Sequence, residues 1–153
     1  ILPVITFKDL FEGLVKVFEL CNPSFDLEFR LENWEARKGE FELGKIKITT
    51  TPVTHSVPCF GVRFDVGDVS ITFSSDTVYD KRLVKLAKGS VVLVHEAIGP
   101  SDFLKKRYPG FYELALKRKH SFAEDAGKAA RDSGVKKLIL CHVYSFLFDK
   151  KEL

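Results

Sequence analysis

Along the chain the apolar residues change their spacing, and each spacing predicts a different element. Leu10, Phe11, Leu14, Val15 and Phe18 recur at helical intervals behind a Thr6 cap, so a helix is expected to run from there to near Cys21, after a short apolar strand over Ile1 to Ile5. Phe25, Leu27, Phe29 and Leu31 then alternate with Asp26, Glu28, Arg30 and Glu32, the period of a strand with one buried face. Lys45 to Thr54 reads as a strand rich in Ile and Thr. Cys59 to Val66 and Val69 to Ser74 flank Gly67-Asp68 and read as a hairpin, Gly67 supplying the positive φ of the turn. Beyond it the pattern becomes helix, apolar strand, helix, apolar strand. Asp80 to Ala87 and Ser121 to Ser133 are the expected helices, and Ser90 to His95 and Lys136 to His142 the expected buried strands. Ser121 and Glu124 have capping-box spacing, and Gly134 is a natural helix stop.

Alternating strands followed by apolar strands with intervening helices predict an α/β layered domain. At 153 residues the chain is expected to be one unit, 1–153, with no internal repeat or linker. Hydrophobic residues at 45% and charged residues at 29% place it among soluble globular proteins, and no apolar run reaches the length of a membrane span. The net charge of +3 tolerates an anionic substrate without marking a nucleic-acid binder. Cys21, Cys59 and Cys141 form no knuckle or redox spacing, from which a reducing, cytoplasmic setting is expected. Ile1 as first residue and the lack of any Met point to a segment of a longer protein. The absence of Gln, with only Asn22 and Asn33 as Asn, leans toward a thermophilic source.

The four histidines all stand beside element ends: His55, His95 and His142 after strands, His120 before a helix. Asp76 follows another strand in Ser74-Ser75-Asp76-Thr77. Strand ends of a layered sheet form a rim where a rigid scaffold can aim side chains. Imidazole and carboxylate are the donors that zinc or manganese takes, and a carboxylate can bridge two ions. Taken singly, each of these residues reads first as a satisfied loop residue, and Asp76 as a turn cap.

Their surroundings change that weighting. His55-Ser56-Val57-Pro58-Cys59-Phe60-Gly61 followed by Phe73-Ser74-Ser75-Asp76-Thr77 resembles the third and fourth motifs of the metallo-β-lactamase superfamily. Val94-His95-Glu96-Ala97 resembles its His-Glu-Ala-Thr segment, His120-Ser121 its His-Ser segment, and Leu140-Cys141-His142 its closing Leu-Thr-His motif. The 21 positions from His55 to Asp76 (76 minus 55) and 22 from His120 to His142 (142 minus 120) are similar to the phosphodiesterase branch, which includes ribonuclease Z.

The resemblance implies an αββα layered sandwich of which about half is present. It also implies that His55 binds one divalent ion, zinc or manganese, that Asp76 bridges two, and that His142 binds the second. His120 would be the proton donor, oriented by Glu96, for hydrolysis of a phosphodiester by a metal-activated hydroxide. His95 is expected to be structural. The family's His-x-His-x-Asp-His motif is absent, so metal binding by these residues alone is expected to be partial or weak. A phosphoester or other small molecule is the expected substrate, with a lactone or thioester, or a non-catalytic fragment, as alternatives. Nucleic acid is disfavoured, because the short His55 to Asp76 interval leaves no room for the arm with which ribonuclease Z grips transfer RNA. Lys105-Lys106-Arg107 and Lys117-Arg118-Lys119 are the basic clusters; they read first as solvated surface, and the second also as an attractor of anionic substrate. A homodimer, or association with the missing half, is expected to cover the apolar faces left open.

Overall fold

The computed structural model describes residues 39–144, which all fall in the unit of the chain that begins at Ala36. The strand and helix expected before Cys21, and the strand expected over Phe25 to Glu32, lie outside the described residues.

Six strands pair in sequence order into one sheet: β1 (Gly39–Leu43), β2 (Ile46–Val53), β3 (Cys59–Val66), β4 (Val69–Phe73), β5 (Val92–Glu96) and β6 (Lys137–Cys141). The first four pair antiparallel, while β4, β5 and β6 run parallel. The parallel pairs need crossovers. α1 (Lys81–Ala87) supplies the first, and α2 (Ser101–Arg107), α3 (Pro109–Arg118) and α4 (Ala123–Ser133) supply the second.

Period-two alternation sorts the strands into two faces. Gly61 and Arg63 of β3 pair with Thr51 and Thr49 of β2, and Arg63 with Thr72 of β4. This is the helix-covered face, because a Cβ at Gly61 would stand 2.9 Å from the Leu83 side chain of α1. Glycine therefore lets α1 lie close on β3. Arg63 then reaches up to the C-terminal end of α1, donating to the carbonyls of Leu86 (3.1 Å) and Lys88 (2.7 Å), while Asp65 holds its other edge at 2.7 Å. Leu93, Ala87 and Ala129 close the core between β5, α1 and α4, with Val84 and Leu138 packed on them. Burying Leu93 alone contributes about 2 kcal/mol. The small side chains of Ala87, Ala126 and Ala129, all fully buried, let α1 and α4 sit side by side. The opposite face carries Phe60, Val62, Phe64, Ile71 and Phe73, and Phe64 meets Phe73 edge-on at 5.9 Å.

A second cluster, Ile98, Leu104, Ala115 and Phe122 with Tyr108, Phe111, Tyr112 and Tyr144, holds α2 and α3 beside the end of β5. Neither helix, nor β1, follows from the chain's periodicity. α3 buries only Ala115, so its pattern carries little amphipathic signal. α4 begins differently from expectation. Ser121 and Glu124 form no capping box: Asp125 accepts the Phe122 N–H at 3.1 Å, the Ser121 hydroxyl donates to the Thr77 carbonyl at 2.5 Å, and Glu124 accepts the Ser101 N–H at 3.2 Å. Tertiary partners outcompete the local cap because they anchor two other segments. Gly134 ends α4 as expected, at φ 69°. Among the described residues no helix is long and apolar enough to cross a membrane.

Candidate metal centre

Two antiparallel steps separate β2 from β4, so these strands point the same way, and β5 and β6 run parallel to β4. The C-terminal ends of β2, β4, β5 and β6 therefore share one rim. His55 follows β2, Asp76 follows β4, Glu96 ends β5 and His142 follows β6. His120, between α3 and α4, is drawn to the same rim by Ile98, whose N–H donates to the Ser121 carbonyl at 3.1 Å. Of the four histidines, His95 departs from the rim expected for all of them. It lies inside β5 with its side chain fully buried, Nδ1 against the Glu96 carbonyl at 2.7 Å and Nε2 without a hydrogen-bond partner. One residue separates it from the strand end, and the period-two flip sends its ring to the opposite face from Glu96.

Asp76, Glu96, His120 and His142 each offer one ligand atom to a group whose members lie within 4.8 Å of one another. His142 Nδ1 stands 3.0 Å from Asp76 Oδ1 and 3.6 Å from Glu96 Oε2. Donors around a tetrahedral zinc at about 2.0–2.1 Å sit roughly 3.3 Å apart, close to the 3.0 Å between His142 Nδ1 and Asp76 Oδ1. The donor set thus fits a divalent ion of the zinc or manganese kind.

The second pair is His120 Nδ1 with Glu96 Oε2, at 2.9 Å. Glu96 is 1% exposed, and its other oxygen accepts the Thr77 N–H. Burial lifts its carboxyl to about 7 and the charge of Asp76 adds to the rise, against the opposing effects of the Thr77 and Ser121 N–H groups and His142. His120 moves the other way. Burial lowers its pKa, Asp76 opposes this, and His142 and Arg118 lower it further. A carboxyl raised and an imidazole lowered bring the two proton affinities toward each other, the condition for passing a proton between them.

His55 lies outside the four-residue group. Its ring meets His120 edge-on at 4.7 Å, its Nδ1 is 3.3 Å from the Lys119 carbonyl, and Ser56 Oγ is 3.4 Å from its Nε2. The residues that hold Glu96, Thr77 and Ser121, were not singled out for that role by the sequence. The available signal was positional: each directly follows a candidate site residue, Asp76 or His120. Burial pushes the thiols of Cys59 and Cys141 up, with the charges of Asp76 and Glu96 adding to it.

A family model described as a beta-lactamase superfamily domain matches residues 5–143. Ribonuclease Z of Ignicoccus hospitalis is 30% identical over 152 aligned residues, covering 69% of this chain and 48% of that protein. Ribonuclease Z of Methanothermobacter thermautotrophicus is 35% identical over 75 residues, 49% of this chain and 22% of that protein. The chain thus spans about half, or less, of the curated relatives it matches. Among solved structures, zinc-bound PqqB of Methylobacterium extorquens aligns with a TM-score of 0.60 at 14% identity, over 90% of this chain and 49% of that one. The short form of human tRNase Z aligns with a TM-score of 0.57 at 23% identity, over 69% of this chain and 39% of that one. Both share the fold.

Proposed function

The chain belongs to the metallo-β-lactamase superfamily, on its ribonuclease-Z-like side, and from that premise we propose that it is part of a metal-dependent phosphodiester hydrolase. The observation that carries this reading is the convergence of Asp76, Glu96, His120 and His142 within 4.8 Å. Asp76 and His142 would hold a divalent ion, with His55, from the same rim, as a further candidate ligand in the complete protein. A zinc or manganese ion, when bound, supplies Lewis acidity toward a phosphoryl oxygen and makes water acidic enough to attack near neutral pH.

The remaining work falls to the chain's own residues. Thr77 and Ser121 fix Glu96 through their N–H groups, and Glu96 fixes His120 through Nδ1. The imidazole's far nitrogen, Nε2, then hands a proton to the departing alkoxide, and Glu96 replenishes it. This division makes Glu96 a positioning residue and His120 the general acid. Nucleic acid, set behind small phosphoesters on the sequence alone, moves forward as substrate because the relatives are ribonucleases Z.

The test is elemental analysis of the purified chain after exposure to zinc or manganese, with hydrolysis of bis(p-nitrophenyl) phosphate measured beside it. Asp76→Ala and His142→Ala are each expected to remove bound metal and to lower turnover by roughly 10²-fold or more. Unchanged metal content in both variants would overturn the site. Turnover of a lactone with none of the phosphodiester would overturn the substrate class.

A further inference from the structure

The helix-covered face of the sheet is not closed everywhere. α1 lies tight on β3, where Gly61 admits Leu83, but beside it, over β2, the same face opens into a cavity of about 610 Å³. That volume falls within the roughly 300–1,000 Å³ of small-molecule sites. Thr51, Arg63, Arg82 and Lys85 bring polar groups to its lining, and Pro52 and Leu86 apolar ones. None of Asp76, Glu96, His120 and His142 is among its described lining residues.

Thr51 points to a ligand. It is 8% exposed, and its hydroxyl has no hydrogen-bond partner among the described residues. A buried hydroxyl left without a partner costs stability, and this one lines the cavity, where a bound acceptor would answer it.

Two guanidinium groups stand at the same cavity, already fixed in orientation. Arg82 spends Nε on Asp80 at 3.0 Å and Nη2 on Asp80 at 2.6 Å and Thr54 at 2.8 Å, which leaves both N–H groups of Nη1. Arg63 spends Nε and one Nη2 hydrogen on Asp65 and Nη1 on the carbonyls of Leu86 and Lys88, which leaves one N–H. Donors that are held in place beforehand lose little freedom when a ligand arrives. Lys85 stands three residues beyond Arg82 on α1, on the same side of the helix, and adds an ammonium group.

The charge around the cavity narrows the class of ligand. Asp65 and Asp80 neutralise the two guanidiniums, and Glu40, which also lines the cavity, is paired with Lys47 at 3.1 Å. Among the described lining residues this leaves the single positive charge of Lys85. Spare donors beside one net positive charge suit a monoanion with two acceptor oxygens, and Pro52 and Leu86 suit an apolar body behind it. We infer that this cavity is a second ligand site, separate from the metal centre, which takes a small carboxylic acid in its anionic form: the carboxylate on Arg82, Lys85 and Thr51, the apolar body against Pro52 and Leu86.

The experiment is a titration of the full chain, in EDTA, with 1-naphthaleneacetate and with its neutral amide, followed by amide NMR. The acid is expected to bind with a Kd of about 1 mM or tighter, to shift the signals of Thr51, Arg82 and Leu86, and to leave Asp76 and His142 unmoved. The amide should bind at least about 10-fold more weakly. Lys85→Gln should weaken the acid about 3-fold or more and leave the amide unchanged. Thr51→Val should weaken the acid about 5-fold while its melting point holds or rises, because the lost hydroxyl has no partner in the free protein. His142→Ala should bind the acid as the wild type does, so the cavity and the metal centre fail separately. Absence of binding at several times that concentration would overturn the site. Equal affinity for acid and amide would overturn the carboxylate, and shifts spread over the exposed apolar residues Val69, Phe73 and Ile139 would mean adsorption to the surface and overturn both.

Discussion

The two ends of the sheet treat backbone strain in opposite ways. At the end where β2, β4, β5 and β6 begin, the positive-φ positions are glycines: Gly44, Gly67, Gly89 and Gly134. At the end where those strands finish, three of the four are not: Ser75, Lys119 and His142 stand at φ 53°, 62° and 59°, beside Gly99. For a side chain other than Gly the left-handed region costs about 1–2 kcal/mol. Two of the three directly precede members of the four-residue group, and His142 is itself a member. The buried carboxylates Asp80 and Glu96 and the buried His120 lie on the same side, with Ser74, Thr77 and Ser121 buried beside them. Strain that persists where glycine would remove it points to a geometry selected for what it aims. One rim is built for stability and the other is held against it.

The sharpest break of that comparison is Glu96→Gln. Glutamine fills the same volume but carries no exchangeable acid, so turnover of a phosphodiester by the complete protein should fall about 10²-fold. The unfolding midpoint at about pH 8 should hold or rise, because a buried carboxylate raised to about 7 no longer has to ionise there. Turnover and thermal melts on one preparation decide it. A melting point that falls in step with activity would make Glu96 an ordinary part of the scaffold.

Not every buried polar group on this rim serves the centre, and Asp80 separates the two kinds. Burial opposes its charge, but the side chain and N–H of Arg82, together with Thr54, outweigh burial and hold its carboxyl down at about 2. An unfolded Asp titrates near 3.9. The depressed value adds stability that is complete above about pH 4 and is lost as pH falls through about 2. With Arg82 half-exposed, solvent screening leaves about 1 kcal/mol of it. Urea unfolding at about pH 5 and about pH 2.5 should show the wild type losing roughly that much more than Asp80→Asn, with the metal content of both unchanged.

Much of this division was legible beforehand. The strands β2 to β4 and the helices α1 and α4 announce themselves by period and β5 and β6 by apolar runs, but β6, expected to be buried, is an edge strand with most of its residues exposed. Motif resemblance named His55, Asp76 and His142 as ligands and His120 and Glu96 as the acid and its support; four of these five converge, while His55, named as a ligand, lies outside the four-residue group. α2 and α3 were not legible, because their cores are made by aromatic contacts with Phe122 and Tyr144 from distant parts of the chain. The position of His95 was off by a single residue, enough to turn its ring to the buried face. The left-handed serine, lysine and histidine leave no trace in composition, because what forces them is the tertiary network and not the residue type.

The smallest effects test the strain directly, by exchanging the habits of the two rims. At Gly67, φ 55°, a Cβ would meet nothing within 4 Å. Gly67→Ala therefore isolates the backbone cost, expected at about 1 kcal/mol of lost stability with metal binding untouched. Ser75→Gly runs the exchange in reverse. It relieves about 1 kcal/mol of left-handed strain, gives back part of it through the freer unfolded chain, and loses the exposed Ser75 hydroxyl bond to the Phe60 carbonyl at 2.8 Å. These terms nearly cancel, so stability should stay within about 0.5 kcal/mol. Metal affinity should still weaken several-fold, because a glycine directly before Asp76 loosens the approach of its carboxylate. Denaturant unfolding combined with zinc titration reads both numbers. Equal stability losses at Gly67 and Ser75, with zinc affinity unchanged, would make the left-handed serine an accident of the loop and remove the distinction between the rims.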